Sequence, residues 1–400
     1  MGLWFTALSV LSWVLIFDLG IGNGLRNKLV ECLAVDDLKR AKKYISSAYI
    51  MVGCFVFILS VVGYVMFYFI NWNSVFNIPE IKIPPGHLLK VIRIVFIGIM
   101  MQFFLKLITS VMFALKKSAL PALLSLISTI LLLLFLAIAP KQSEIDNLSN
   151  LAYANVILAN LPLLVATIIL FKKDLKYCQP DLKNYDRNFA RSILKLGGVF
   201  FVIQITYLLI SNTSEFLITW FTKPDFVVDY KIYYSLFSFV GTIFSLALVP
   251  IWSEVTEAYV KGEVKWMKVL YVRLYKIALI GTFGLLVLVF LMQPVVDLWL
   301  KEKTIKINYT FSIVFVISGI LFMWNAILSS FANGMGKLKI SITFMTIGAI
   351  VNIPLTMLFT YLTHSWIGVI IANIISLLPF CIAQTIWLNK YFKTEGKYQE

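Results

Sequence analysis

"ECLAVDDLKRAKKYISSAY", residues 31–49, lies on "EAYVKGEVKWMKVLYVRLY", residues 257–275, without a gap, at an offset of 226 residues. Glu31 meets Glu257, Asp37 meets Glu263, Lys39 meets Lys265, Lys42 meets Lys268 and Tyr49 meets Tyr275. A second pair, "ALKKSAL" at 114–120 and "GMGKLKI" at 334–340, repeats at an offset of 220. Any two amphipathic basic segments can be aligned in this way. Two pairs at nearly one spacing, each following equivalent apolar runs, point instead to an internal duplication, and a duplication sets the architecture.

The duplicated material is membrane-spanning. The chain has 400 residues, 60% hydrophobic and 14% charged, well under the charge of a soluble domain. Apolar runs of about 20 residues recur, each long enough to cross a hydrocarbon core of about 30 Å. A barrel would show short alternating segments. The pattern predicts an all-α polytopic membrane protein with about eleven transmembrane helices, from Leu3–Leu25 to Ile367–Leu388. Two spans that matter below are Leu88–Leu115 and Ile193–Phe221. The start, "MGLWFTALSVLSWV", lacks a basic n-region and a small-residue cleavage site, and reads as a spanning helix rather than a signal peptide.

The longest polar stretch, "FKKDLKYCQPDLKNYDRNFARSILK" at 171–195, divides the chain. The expected organisation is an N-lobe at 1–172 with five helices, a basic cytoplasmic linker at 173–192, and a C-lobe at 193–400 with six. A repeat of six spans is even, so both lobes share one orientation and are related by an axis along the membrane normal, with the substrate path between them. The N-lobe then lacks one span, and the chain is expected to begin one helix late.

Charge sets the topology. Loops after alternate spans hold 25 of the 35 Lys and Arg residues, among them Lys39, Arg40, Lys42 and Lys43, Lys116 and Lys117, and Lys261, Lys265 and Lys268. By the positive-inside rule these face the cytoplasm. The C-terminus is then cytoplasmic and the N-terminus outside, or cytoplasmic once a missing first helix is restored. The basic patch "KEKTIK" at 301–306 runs against this assignment. The net charge of +15 follows from these loops, so nucleic acid is not an expected partner. The cysteines show no CxxC spacing, and His87 and His364 are isolated, so no metal site is expected.

"FDLGIGNGLRNKL", residues 17–29, places Asp18, three glycines and two bases at the end of an apolar run. Followed by "LAVDDLKRAKKYISSAY", it resembles the second span and loop of bacterial oligosaccharide repeat-unit flippases. These are the O-antigen and capsule exporters of the multidrug/oligosaccharidyl-lipid/polysaccharide (MOP) superfamily. "SNTSEFLITWF" at 211–221, "YSLFSFVGTIFSLALVPIWSEVTEAYVKGE" at 234–263 and the looser "WNAILSSFANGMGKLKI" at 324–340 extend the resemblance over nearly the whole chain. Family members of this type have twelve helices, so the missing first span is a departure.

The resemblance implies a MATE/MOP-like fold of two pseudo-symmetric lobes in the bacterial plasma (inner) membrane. It implies translocation of a polyprenyl-pyrophosphate-linked oligosaccharide from the cytoplasmic to the outer leaflet by alternating access. The lipid bilayer and the polysaccharide polymerase machinery are the other partners it implies. No cofactor is expected; the driving force, whether proton or sodium antiport, membrane potential or product removal, stays open.

Pyrophosphate and sugars cannot cross hydrocarbon unaided, because buried charge and unpaired polar groups cost many kcal/mol. Side chains able to hold them are therefore the candidates. Arg26 comes first, with an anchoring role at the helix end as its alternative. Asp18 is placed to poise Arg26 or bind a coupling cation, or else to cap a break. Lys106, in "MQFFLKLIT", lies deep in a span, where a base faces a wet cavity or snorkels. Arg93 is 13 residues before it, about 3.6 turns, so the two do not share a face. Glu215 suits a cation or a sugar hydroxyl and Asn212 a sugar; helix-to-helix hydrogen bonds are the alternative. Gln204, Tyr207, Asn325 and Asn352 are weaker candidates for lining the path, with polar contacts between helices as the alternative. Gly20, Gly22 and Gly24 permit close approach of a partner helix or the substrate, and Pro250 and Pro354 bend helices.

An enzyme is not expected: the outer loops are short, roughly 6 to 20 residues by the same hydropathy limits, and none carries a DxD. The competing transporter reading is a MATE-like cation-coupled drug or small-molecule exporter. The first-half motif and the surplus of bases over acids within the spans argue against it.

Overall fold

The computed structural model describes residues 20–76, 83–138, 143–301 and 305–396. Every regular element in them is helical. In chain order the helices longer than four residues are α1 (Ile21–Leu33), α2 (Leu38–Met66), α3 (Pro85–Leu105), α4 (Leu107–Ala114), α5 (Ala119–Ile138), α6 (Glu144–Lys173), α7 (Arg187–Ser211), α8 (Ser214–Phe221), α9 (Phe226–Val260), α10 (Val264–Leu300), α11 (Tyr309–Met335), α12 (Lys339–Thr363) and α13 (Ile367–Gly396). Among the described residues ten helical stretches are long and apolar enough to cross a membrane. The expected first span, Leu3–Leu25, lies almost wholly outside the described residues, as does Asp18.

Helix starts follow local chemistry. The Asp37 carboxylate accepts the Arg40 N–H at 2.9 Å and caps α2; Asn308 caps α11 by accepting the Thr310 N–H at 3.0 Å. Pro85 opens α3 at a position whose N–H has no intrahelical partner anyway.

Both sequence pairs become matching turns. After α1, Asp36 adopts the left-handed conformation with φ 54°; after α9, Gly262 does so with φ 73°. The Asp37 N–H bonds Cys32 O at 3.0 Å, and the Glu263 N–H bonds Ala258 O at 2.8 Å. The Asp36 and Gly262 N–H groups bond Leu33 O and Tyr259 O at 3.3 and 3.2 Å. The second pair behaves alike. Lys116 has φ 60° and Gly336 φ 64°, while the Lys117 and Lys337 N–H groups reach back to Met112 O and Ala332 O at 2.9 and 3.1 Å. All four are left-handed helix ends of the Schellman type. The offsets of 226 and 220 residues are thus reproduced bond for bond in the backbone.

The chain forms two compact units, residues 1–198 and 199–400, meeting inside α7. In the first, α1 packs on α2 and α4, and α6 on α3 and α5. The glycines of the opening motif serve close approach. A Cβ on Gly24 would stand 2.8 Å from Ile193 O and 3.2 Å from Gly197 N, and one on Gly197 would stand 3.0 Å from Gly20 O. Backbone meets backbone there, so α1 and the first half of α7 tolerate no side chain between them. The expected linker, 173–192, is fastened to α2. The Asp181 and Asp186 N–H groups donate to Ser46 Oγ and Ser47 Oγ, each at 3.1 Å. Lys42 and Lys43 face the two carboxylates at 3.9 and 3.6 Å.

In the second unit α11 packs on α9 and α10, and α12 on α13. Its core is aromatic: Tyr233, Phe237, Phe315 and Trp366 lie within 6.2 Å of one another, ring to ring, in successive pairs. Large apolar side chains remain exposed on the outer faces, such as Phe57, Leu133, Phe239, Ile280 and Phe290. None of α5 is buried. Such a surface is at rest against lipid tails rather than water.

Candidate functional site

The expected span Leu88–Leu115 is broken at one residue, Lys106, which separates α3 from α4. The Lys106 N–H still bonds Gln102 O at 2.7 Å. Its carbonyl, however, accepts the Thr109 N–H at 2.9 Å, one residue short of the α-helical partner. The Thr109 hydroxyl donates to the same oxygen at 2.7 Å. A side-chain donor competing for a backbone carbonyl loosens a helix at that point. The only base deep in this span therefore sits at its break, with an exposed side chain.

Lys106 lines a cavity of about 510 Å³ in the first unit. Gln102, Thr109 and Phe113 share its wall, facing Ser125, Ser128 and Thr129 of α5 and Asn155 of α6. The described lining holds one cation, the amides of Gln102 and Asn155, four hydroxyls and no carboxylate. The Thr109, Ser128 and Thr129 hydroxyls donate to carbonyls of their own helices and face the cavity as acceptors. Arg26 reaches the same wall from α1. Its guanidinium carbon is 4.8 Å from the centre of the Phe113 ring, and the residue is only 4% exposed. A buried cation on the ring's far neighbour adds positive potential to a low-dielectric cavity, where it is weakly screened. The arrangement suits a polyanion carrying hydrogen-bonding groups.

The remaining candidates are spread out. Arg93 turns to α2: its Nη2 donates to Tyr64 O at 2.9 Å and its guanidinium lies 4.0 Å from the Tyr64 ring centre. There it satisfies a carbonyl of the last turn of α2, where a cation also meets the negative end of the helix dipole. Glu215, in the first turn of α8, pairs with Lys231. Gln204 is partly buried on α7. Asn325 is buried and accepts from Ser329 Oγ at 3.3 Å. Pro250 and Pro354 stand inside α9 and α12.

Asn212 lies where the expected span Ile193–Phe221 is interrupted between α7 and α8, and it lines a second cavity, of about 150 Å³, with Tyr207. Asn352 is not on that wall but stands behind it. Its Nδ2 donates to Asn373 Oδ1 at 2.9 Å and to Ser376 Oγ at 3.2 Å, and Asn373 Nδ2 donates to Ser214 Oγ at 2.9 Å.

The residues that sequence reasoning missed are small and polar: Ser125, Ser128, Thr129 and Asn155 in the first unit, Ser214 and Asn373 in the second. Ser125, Ser128 and Thr129 are spaced i, i+3, i+4 in an otherwise apolar run, which puts them on one helix face. That spacing was the available signal.

No family model matches the sequence, and no curated protein matches it. Solved structures match over almost the whole chain. One is a multidrug resistance MATE family transporter of the MOP superfamily in its outward-facing conformation, 14% identical, covering 99% of this chain and 88% of that one, with a TM-score of 0.73. A MATE transporter of Vibrio cholerae in its bent form is 15% identical over 98% of this chain and 88% of its own, TM-score 0.75. A MOP superfamily transporter from Pyrococcus furiosus, described as having a binding pocket of reversed polarity that suggests a different function, is 14% identical over 99% and 88%, TM-score 0.74. The chain therefore has the MATE/MOP transporter fold.

Proposed function

We propose that this protein is a flippase that moves polyprenyl-pyrophosphate-linked oligosaccharide repeat units from the cytoplasmic to the outer leaflet by alternating access, supplying O-antigen, capsule or a related surface polysaccharide. The observation that carries this reading is the cation-lined cavity of the first unit. Lys106 lines it, and Arg26 stands on the Phe113 ring of its wall. The lipid tail can remain in the bilayer while the head group needs a polar path. Lys106 would pair with a phosphate oxygen. Ser125, Ser128, Thr129 and Asn155 would replace water around the rest of the head group. Asp18 and Glu215 were the expected coupling acids; Glu215 already has Lys231 as its partner, which leaves Asp18 as the acid we assign to coupling.

A second reading, a MATE-like cation-coupled exporter, is favoured by the description of a fold neighbour as a multidrug transporter. The two differ in cargo charge: a cationic drug would be repelled by Lys106.

The test is to delete the gene in its own strain and locate the lipid-linked repeat unit. Accumulation in the inner leaflet, relieved by the intact gene but not by a Lys106→Glu version that inserts normally, is the expected result. Normal surface glycan in the deletion strain, with no redundant exporter, overturns the reading and favours drug export.

A further inference from the structure

The cavity of the second unit differs in chemistry from that of the first. It measures about 150 Å³, the size that accommodates a single six-membered ring. None of its described lining residues is charged. The nearest charges in sequence are Glu215, Asp229 and Lys231; Glu215 and Lys231 form an ion pair, and the Asp229 carboxylate would repel an anion rather than hold one. A charged ligand would lose its hydration with no countercharge to replace it.

The lining also disfavours a purely apolar ring. Asn373 presents a primary amide whose orientation is locked from both ends. Its Oδ1 accepts from Asn352 at 2.9 Å, and its Nδ2 donates to Ser214 Oγ at 2.9 Å. Asn352 is itself 1% exposed and cannot turn away. An amide so held retains one further N–H and one further lone pair, a fixed donor beside a fixed acceptor. Neighbouring hydroxyls of a saccharide offer the complementary pair. Asn212 and Ser238 add amide and hydroxyl groups to the wall, while the faces of Tyr230 and Tyr234, 5.4 Å apart between ring centres, add apolar area. Apolar faces with polar edges are what a pyranose ring presents, and few, well-placed polar groups in an otherwise apolar pocket confer orientation.

We propose that the cavity lined by Asn373, Ser214 and Asn212 is a binding site for one neutral sugar ring. The site follows from its own lining; that the ring belongs to a lipid-linked glycan rests on the flippase reading.

The test uses the full chain in detergent micelles, with methyl glycosides of neutral hexoses and N-acetylhexosamines as probes, followed by saturation-transfer NMR. Inorganic pyrophosphate, followed by calorimetry, is the control ligand for the first unit. Ser238→Leu fills the cavity. Asn212→Ala removes an amide at an exposed position and keeps the backbone bond from its N–H to Leu208 O. The expected result is that at least one glycoside binds, and that each variant weakens it about tenfold while leaving pyrophosphate binding unchanged. Failure of every glycoside to bind, or equal binding by parent and both variants, overturns the site. Glycoside binding sensitive to the variants, in a protein that does not relocate lipid-linked repeat units in the leaflet assay, keeps the site and assigns it to a free saccharide. Normal relocation without glycoside binding removes the site and leaves the flippase reading intact.

Discussion

The Arg26 guanidinium carbon lies 4.8 Å from the centre of the Phe113 ring, and Phe113 is part of the wall that Lys106 also lines. Two basic residues 80 positions apart in the chain are thereby brought to one cavity, one in its interior and the other beneath its surface. Phe113→Leu keeps an apolar wall but removes the ring. A buried cation–π contact is worth about 2 kcal/mol, so transport is expected to fall about thirtyfold with protein level unchanged. Arg26→Glu is expected to abolish it. Leaflet assays on normally inserted protein check both; parental transport in Arg26→Ala and Arg26→Glu alike removes Arg26 from the site.

Lys106 separates charge from helix shape. Lys106→Arg keeps the charge and is expected to retain most transport, whereas Lys106→Ala loses about tenfold or more, the scale of one charge-assisted hydrogen bond of about 1.5–3 kcal/mol. Thr109→Val removes the hydroxyl that holds Lys106 O at 2.7 Å while keeping the charge. A transport loss confined to Thr109→Val, with Lys106→Ala active, would show that Thr109, through the break or as part of the wall, matters and the ammonium does not.

Gly336→Ala tests the left-handed turn between α11 and α12. Nothing lies within 4 Å of the added Cβ, so the cost is the φ of +64° alone. The expected destabilisation is about 1–2 kcal/mol, read as a lower Tm of the purified protein. An unchanged Tm would mean that this turn relaxes freely.

The clasp between 181–186 and α2 depends on pH. The Lys183 N–H, then Lys42 and Asn184, hold the Asp181 carboxyl below its ordinary value of 3.8. A group whose pKa is lowered by folding contributes at pH above its unfolded value and ceases to as pH falls through the folded one. Amide exchange at Asp181 and Lys183 is therefore expected to be slow at neutral pH and to accelerate, relative to α2, only below about pH 4. Asp181→Asn should remove that acid step; an identical profile in Asp181→Asn would rule Asp181 out as its cause.

How far each feature was legible follows from its range along the chain. Hydropathy is a local sum, so the spanning helices could be read from it directly. The repeated turns were legible because a helix end needs only a few adjacent residues and one left-handed position. Lys106 stood out because a base inside an apolar run is costly wherever it occurs. The interruptions at Lys106 and at Asn212 were not legible, since each lies within a run whose composition satisfies a continuous span.

The sequence by itself determined the all-helical membrane class of the protein, its long spans and its repeated turns, and it drew attention to Arg26 and Lys106 as bases set in or beside apolar runs. Only tertiary structure decided that Arg26 would be buried on Phe113 rather than anchor a helix end at the surface, that Arg93 would close α2, and that Ser214 would meet Asn373, 159 residues away. Covalent order fixes which residues share a helix face. Which faces then meet is settled by backbone contacts as close as Gly24 against Ile193 and Gly197, and a cavity is the space those contacts leave between helices.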